Sequence, residues 1–110
     1  MSIPSESENW VIEEGDKIIQ KKARSGAGNL TPWERLVYCL WVADYGMRNA
    51  GDLDTARDVY SDFQSEAYRL ADQLSLFFTR ETFSLSQSAL EKEYLNRFEA
   101  VCDEIRRAEQ

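Results

Sequence analysis

The sequence predicts an all-α fold, a compact bundle of about four helices in a single domain spanning residues 1–110, and three observations carry that prediction. Apolar residues recur at alternating steps of three and four along most of the chain, the period of one helix face. Thr31-Pro32-Trp33-Glu34 spells out a helix start. Nowhere does Val, Ile and Thr-rich alternation or an Asn-Gly hairpin signal support a strand.

The first helix is expected from about Glu8 to Arg24, capped by Ser5-x-x-Glu8 or by Ser7, with Lys21, Lys22 and Arg24 near its negative end. Residues 1–7 are expected to be flexible. Val11, Ile12, Gly15, Ile18 and Ile19 share one side, where Gly15 gives up helix propensity but lets a neighbouring backbone come close. Ser25 to Leu30, rich in Gly and Ala, reads as a linker.

The second helix runs from Pro32 to about Asn49. Thr31 caps it, Pro32 occupies the first helical position where no donor is lost, and Glu34 completes a reciprocal capping box. Leu36 to Ala43 carries no charge, so this helix is expected at the centre of the fold. Trp33, Leu36, Val37, Leu40, Asp44 and Met47 lie on one face; Tyr38, Val42 and Tyr45 form a second stripe with Trp41 at its edge. Gly51 supplies a left-handed stop and Asp52 the next cap.

Leu53, Ala56, Tyr60, Phe63, Ala67, Leu70, Leu74 and Phe78 predict one long third helix from Leu53 to Phe78, roughly 39 Å at about 1.5 Å per residue. The turn is expected at Thr79 to Ser84. Ser86 then caps a last helix that buries Leu90, Tyr94, Phe98, Val101 and Ile105, with Glu93–Arg97 and Asp103–Arg107 pairs on its surface.

Composition bounds the function classes. Twenty acids against 13 basic residues leave a net charge of −7, which disfavours direct contact with nucleic acid or an anionic membrane and favours a basic protein partner. The absence of histidine removes the usual general base, the usual triad partner and the commonest metal ligand. No phosphate-binding Gly-rich motif occurs, and two Cys far apart, Cys39 and Cys102, make neither a disulfide framework nor a zinc site. No catalytic residue, metal ligand or cofactor is assigned on these grounds. A basic, apolar leader is missing and no apolar run is long enough to cross a bilayer, so a cytoplasmic protein without a membrane role is expected.

Two features carry functional hints. Asp54, Asp58, Asp62 and Glu66 recur every four residues, about 6 Å apart on a continuous helix, close to the phosphate spacing of a nucleic-acid strand. Such a row suits a basic DNA-binding partner, whereas a solvated face partly neutralised by Arg57 and Arg69 is the ordinary reading. Asp44, on the buried face of the second helix, needs a partner such as Arg48, a Tyr hydroxyl, a Trp N–H or a helix N-terminus, or else faces a ligand. The stripe of Tyr38, Trp41, Val42 and Tyr45 is either covered by the first helix in a monomer or exposed as a homodimer or partner interface, in which case the chain is a structural or inhibitor-type interaction subunit. A Mg²⁺-dependent carboxylate enzyme is a third reading.

Glu34-Arg35-Leu36-Val37-Tyr38, the aromatic-rich stretch after it, Asp44 and Asn49-Ala50-Gly51 resemble the early helix of a family of small acidic helical bacterial proteins that includes a DNA mimic. Asp44 matches the family's acid, and Asn49 and Gly51 its Asn-Gly-Gly turn, with Ala50 in place of the first Gly and Asp52 in place of the following aromatic residue. The resemblance implies an acidic helical protein, as a dimer, that binds a protein partner by imitating DNA charge.

Overall fold

A computed structural model describes residues 5–109 of the chain, apart from the side chain of Ala27. These residues form six α-helices: α1 (Glu6–Ser25), α2 (Pro32–Ala50), α3 (Asp54–Val59), α4 (Phe63–Gln73), α5 (Phe77–Phe83) and α6 (Gln87–Arg107), with a 3₁₀ turn at Ala27–Asn29 in the linker. No strand occurs among the described residues.

Helix ends with local caps fall close to where the sequence puts them. Ser5 accepts the Glu8 N–H at 3.1 Å and α1 begins at Glu6, so residues 5–7 cap and start this helix, whereas Met1 to Pro4 lie outside the described residues. Thr31 Oγ1 accepts the Glu34 N–H at 3.1 Å and Glu34 accepts the Thr31 N–H at 2.9 Å, a complete capping box. Gly51, at φ 74°, closes α2 through its N–H to the Met47 carbonyl. Ser86 caps α6 by accepting the Ala89 N–H at 3.2 Å.

The single long third helix does not form. A straight helix of that length would exceed the largest extent of the molecule, 34 Å, and the chain instead folds it into α3, α4 and α5. The first break falls at Tyr60, whose backbone is extended (φ −153°, ψ 99°). The second is a Schellman stop: the Leu76 N–H reaches the Ala71 carbonyl at 2.8 Å, the Ser75 N–H reaches Asp72 at 3.1 Å, and Ser75 takes φ 61°. Thr79 to Ser84, expected as a turn, is therefore mostly the body of α5.

Neither short helix has a local side-chain cap at its own N-cap residue; acids distant in sequence help to fill the gap. Glu91 of α6 accepts the Leu53 N–H at 2.8 Å, while Glu104 of α6 accepts the N–H groups of Phe78 (3.1 Å) and Thr79 (2.7 Å). Carboxylates at these helix starts satisfy free donors and suit the positive end of the dipole.

Helix α2 lies at the centre, in contact with α1, α3, α4 and α6. Leu36, Val37, Leu40, Val42 and Ala43 are buried there against Phe63, Ala67 and Leu70 of α4 and the expected Leu90, Tyr94, Phe98, Val101 and Ile105 of α6. The Trp33 indole N–H donates to the Ile105 carbonyl at 2.8 Å and ties the start of α2 to the end of α6. A Cβ at Gly15 would fall on the Trp41 ring, so the missing side chain lets α1 close over α2. Ile12, assigned to the buried stripe of α1, is 49% exposed because the stripe is narrower than the sequence suggests. No described helix is long and apolar enough to cross a membrane.

Candidate functional site

The acidic stretch is built on α3 and the first turn of α4. Asp52 accepts the N–H groups of Asp54 (3.1 Å) and Thr55 (3.3 Å), and Asp54 accepts a hydrogen bond from the Gln87 amide at 2.9 Å. Asp54, Asp58 and Asp62 are exposed, and the Asp58 and Asp62 carboxylates have no hydrogen bond or ion pair among the described residues. Arg57, the one cation between Arg48 and Arg69, is held by Gln87 (2.5 Å), Gln64 (3.1 Å) and the Ser61 carbonyl (3.5 Å), none of them charged. Gln64 is itself fixed by donating to the Phe83 and Leu85 carbonyls at 3.2 and 2.7 Å. Arg57, Asp62, Gln64 and Tyr68 line an open groove of about 620 Å³ between α4 and the α5–α6 turn.

Glu66 does not extend this row. The break at Tyr60 means that α3 and α4 do not share one helical period, and Glu66 is buried, 8% exposed. It meets Arg35 at 2.6 Å and Arg69 at 4.0 Å and accepts a hydrogen bond from the Tyr60 hydroxyl. The evenly spaced file expected on one continuous helix is thus reduced to Asp54, Asp58 and Asp62 on two elements.

Asp44 lies inside a hydrogen-bonded network. The buried Tyr94 hydroxyl donates to Asp44 Oδ1 at 2.7 Å, Arg48 Nε donates to the same oxygen at 3.2 Å, and Arg48 Nη1 continues to Glu8 at 3.1 Å. Burial, and next the Asp44 charge, push the Tyr94 phenol well above its ordinary range. Partial burial lowers the Arg48 pKa, yet Asp44 and Glu8 outweigh it and the net shift is upward. Of the partners expected for Asp44, Arg48 and a Tyr hydroxyl are present, and no Trp N–H reaches it among the described residues.

The aromatic stripe of α2 sits along the α1–α2 seam. Tyr38 and Trp41 stack at 6.2 Å, Trp41 and Tyr45 at 5.5 Å, and Tyr60 of the α3–α4 break joins Tyr38 at 5.9 Å. Val42 is buried, Tyr38 and Trp41 are partly covered, and Tyr45 remains 42% exposed beside Ile12. Ile12, Trp41, Tyr45 and Asn49 line a shallow groove of about 300 Å³ there, and Asp44, Arg48 and Glu8 of the network above border it.

The surface pairs expected on α6 are not formed among the described residues: Arg97 donates to the Thr82 hydroxyl at 3.3 Å and lies over the Phe78 ring. No group of three or more acidic or Cys side chains among the described residues is placed to hold a metal ion. The cluster that sequence reading did not assemble is Lys22, Arg35, Tyr60 and Arg69 around Glu66, since these residues come from three helices and a break. No family model, curated protein or solved structure matches this chain.

Proposed function

We propose that this protein is a non-enzymatic acidic binding or regulatory module whose Asp54, Asp58 and Asp62 engage a basic protein, of the class that otherwise holds DNA phosphates. One observation carries the reading. Arg57 directs its donors to Gln64, Gln87 and a carbonyl, and among the described residues no cation pairs with the carboxylates of Asp58 and Asp62. With the net charge of −7, such a face steers and retains positive partners, an effect that salt weakens over a screening length of about 8 Å. The resemblance of Glu34 to Gly51 to the family with a DNA mimic supports the same partner class.

Immobilised protein, incubated with native lysate at low salt, should retain basic proteins that excess duplex DNA or high salt releases. The triple variant Asp54→Asn, Asp58→Asn, Asp62→Asn should lose most of that set. Equal retention by the triple variant would overturn the reading.

A second reading rests on the exposed Ile12–Tyr45 pair at the α1–α2 seam. It places an apolar partner on the aromatic side of α2. Tyr45→Ala with Ile12→Ser would then abolish capture while the three Asn substitutions left it intact.

A further inference from the structure

Glu66 gathers more positive charge than its own carboxylate neutralises. Arg35 and Arg69 both turn to it, and Lys22 of α1 stands 4.5 Å from the Tyr38 ring centroid with no carboxylate within 4.0 Å among the described residues. Lys22, Leu30, Arg35, Tyr38, Tyr60 and Glu66 line a cleft of about 130 Å³ between α1, α2 and the α3–α4 break. Two cations against one carboxylate make this lining positive on a protein of net charge −7.

We propose that this cleft is a phosphoryl-binding site selective for a protonated phosphate. Lys22 supplies a mobile ammonium and Arg35 a planar guanidinium, the two side chains that most commonly hold phosphate oxygens. Glu66 supplies the selectivity. An ionised carboxylate only accepts hydrogen bonds, with about four acceptor positions, and Arg35 and Tyr60 are the close partners, Arg69 standing 4.0 Å away. An acceptor position left open repels a fully deprotonated oxyanion and accepts the O–H of a phosphate that keeps its proton. Sulfate, of the same shape, has no proton to give near neutral pH. The cleft, about 130 Å³ and open to solvent on one side, has room for one tetrahedral oxyanion.

Amide chemical shifts of the labelled protein, titrated with inorganic phosphate in mildly acidic buffer at ionic strength held constant with chloride, test the site. Saturable shifts centred on Lys22, Arg35 and Tyr60 are expected, with sulfate at least tenfold weaker. Lys22→Gln should weaken phosphate binding at least tenfold, whereas Arg24→Gln, on the same helix but outside the cleft, should not. Methyl phosphate separates the sources: binding equal to phosphate assigns a phosphomonoester, and exclusion assigns free phosphate. Unsaturable shifts, equal binding of sulfate, or indifference to Lys22→Gln would overturn the proposal. The comparison of phosphate with sulfate on the wild-type protein stands whether or not the variant folds.

Discussion

Replacing Asp44 by Ala removes the acceptor on which the Tyr94 hydroxyl and the Arg48 guanidinium converge. The two losses differ in kind. Arg48 is about a third exposed and keeps Glu8, so water and a second carboxylate absorb part of its loss. Tyr94 is only 3% exposed, and its hydroxyl is left buried without a partner. Asp44→Ala should therefore cost about 2–3 kcal/mol in urea unfolding, below the range for a fully enclosed pair. Removing the hydroxyl as well, in Asp44→Ala with Tyr94→Phe, should be no worse than Asp44→Ala alone, because the orphaned donor is gone. A double variant destabilised by the sum of the two single changes would show that the two groups act independently. Glu66 differs in having three partners, Arg35, Arg69 and Tyr60, and it keeps a face toward a cleft.

At the scale of elements, Ser75 decides where α4 stops and α5 begins. Its φ of 61° places a side chain in the left-handed region, which costs a non-glycine residue roughly 1–2 kcal/mol. Glycine removes that strain and returns about 0.5–1 kcal/mol in unfolded-state entropy. Ser75→Gly should therefore stabilise the protein by about 0.5–1 kcal/mol, read as a rise of a few degrees in Tm by calorimetry. A lower Tm would mean that the Schellman stop at Ser75 is not the strained point described. The same turn shows why the apolar period alone predicts one long third helix. Helices α1, α2 and α6 begin at Ser5, Thr31 and Ser86, and α2 ends at Gly51, all local signals that a linear reading finds. The start of α3 combines the expected local acceptor Asp52 with the distant Glu91, that of α5 depends on Glu104, and α4 ends on a serine where glycine is the usual signal. The apolar period runs through both breaks, because each new helix also turns its apolar side to α2 or α6. In the candidate site, Asp54, Asp58 and Asp62 were legible as exposed from that period. Glu66 lies three residues after Phe63 and four before Leu70, at the edge of the apolar stripe of α4, so its burial follows from the same period, and only the four-residue acidic spacing groups it with the exposed row. The grouping of Lys22 with Arg35 and Tyr60 is purely long-range and leaves no trace in local spacing.

For the molecule as a whole, pH reads how the core treats its titratable groups. Cys39 on α2 and Cys102 on α6 are free and buried, and burial is the main cause that pushes both thiols far above their ordinary value of 9.0; the charge of Glu66 adds to it at Cys39, and that of Glu99 at Cys102. Tyr94 is raised above 10.0 by burial and by Asp44. A group raised on folding stabilises fully below its unfolded pKa, and above it the unfolded chain sheds a proton that the folded chain retains. Stability therefore falls as pH climbs past the ordinary thiol and phenol values. The opposite edge is set by groups such as Glu34. Burial raises its pKa, but the Lys21 and Thr31 hydrogen bonds and the Lys21 charge prevail and lower it below 4.5. Its contribution is present above that value and lost as pH falls through the folded pKa. The alkaline edge is the sharper test because it belongs to three identified side chains. From about pH 9 to 10 the wild type should lose about 2 kcal/mol more unfolding free energy than Cys39→Ala with Cys102→Ala, whose thiols no longer titrate. The double variant should start lower near neutral pH, by roughly 1 kcal/mol for each small cavity, and its curve should be flatter over that interval. Urea unfolding at a series of pH values measures both quantities. Parallel curves would mean that the thiols ionise as readily in the fold as outside it, which the closed packing of α2 against α6 does not allow.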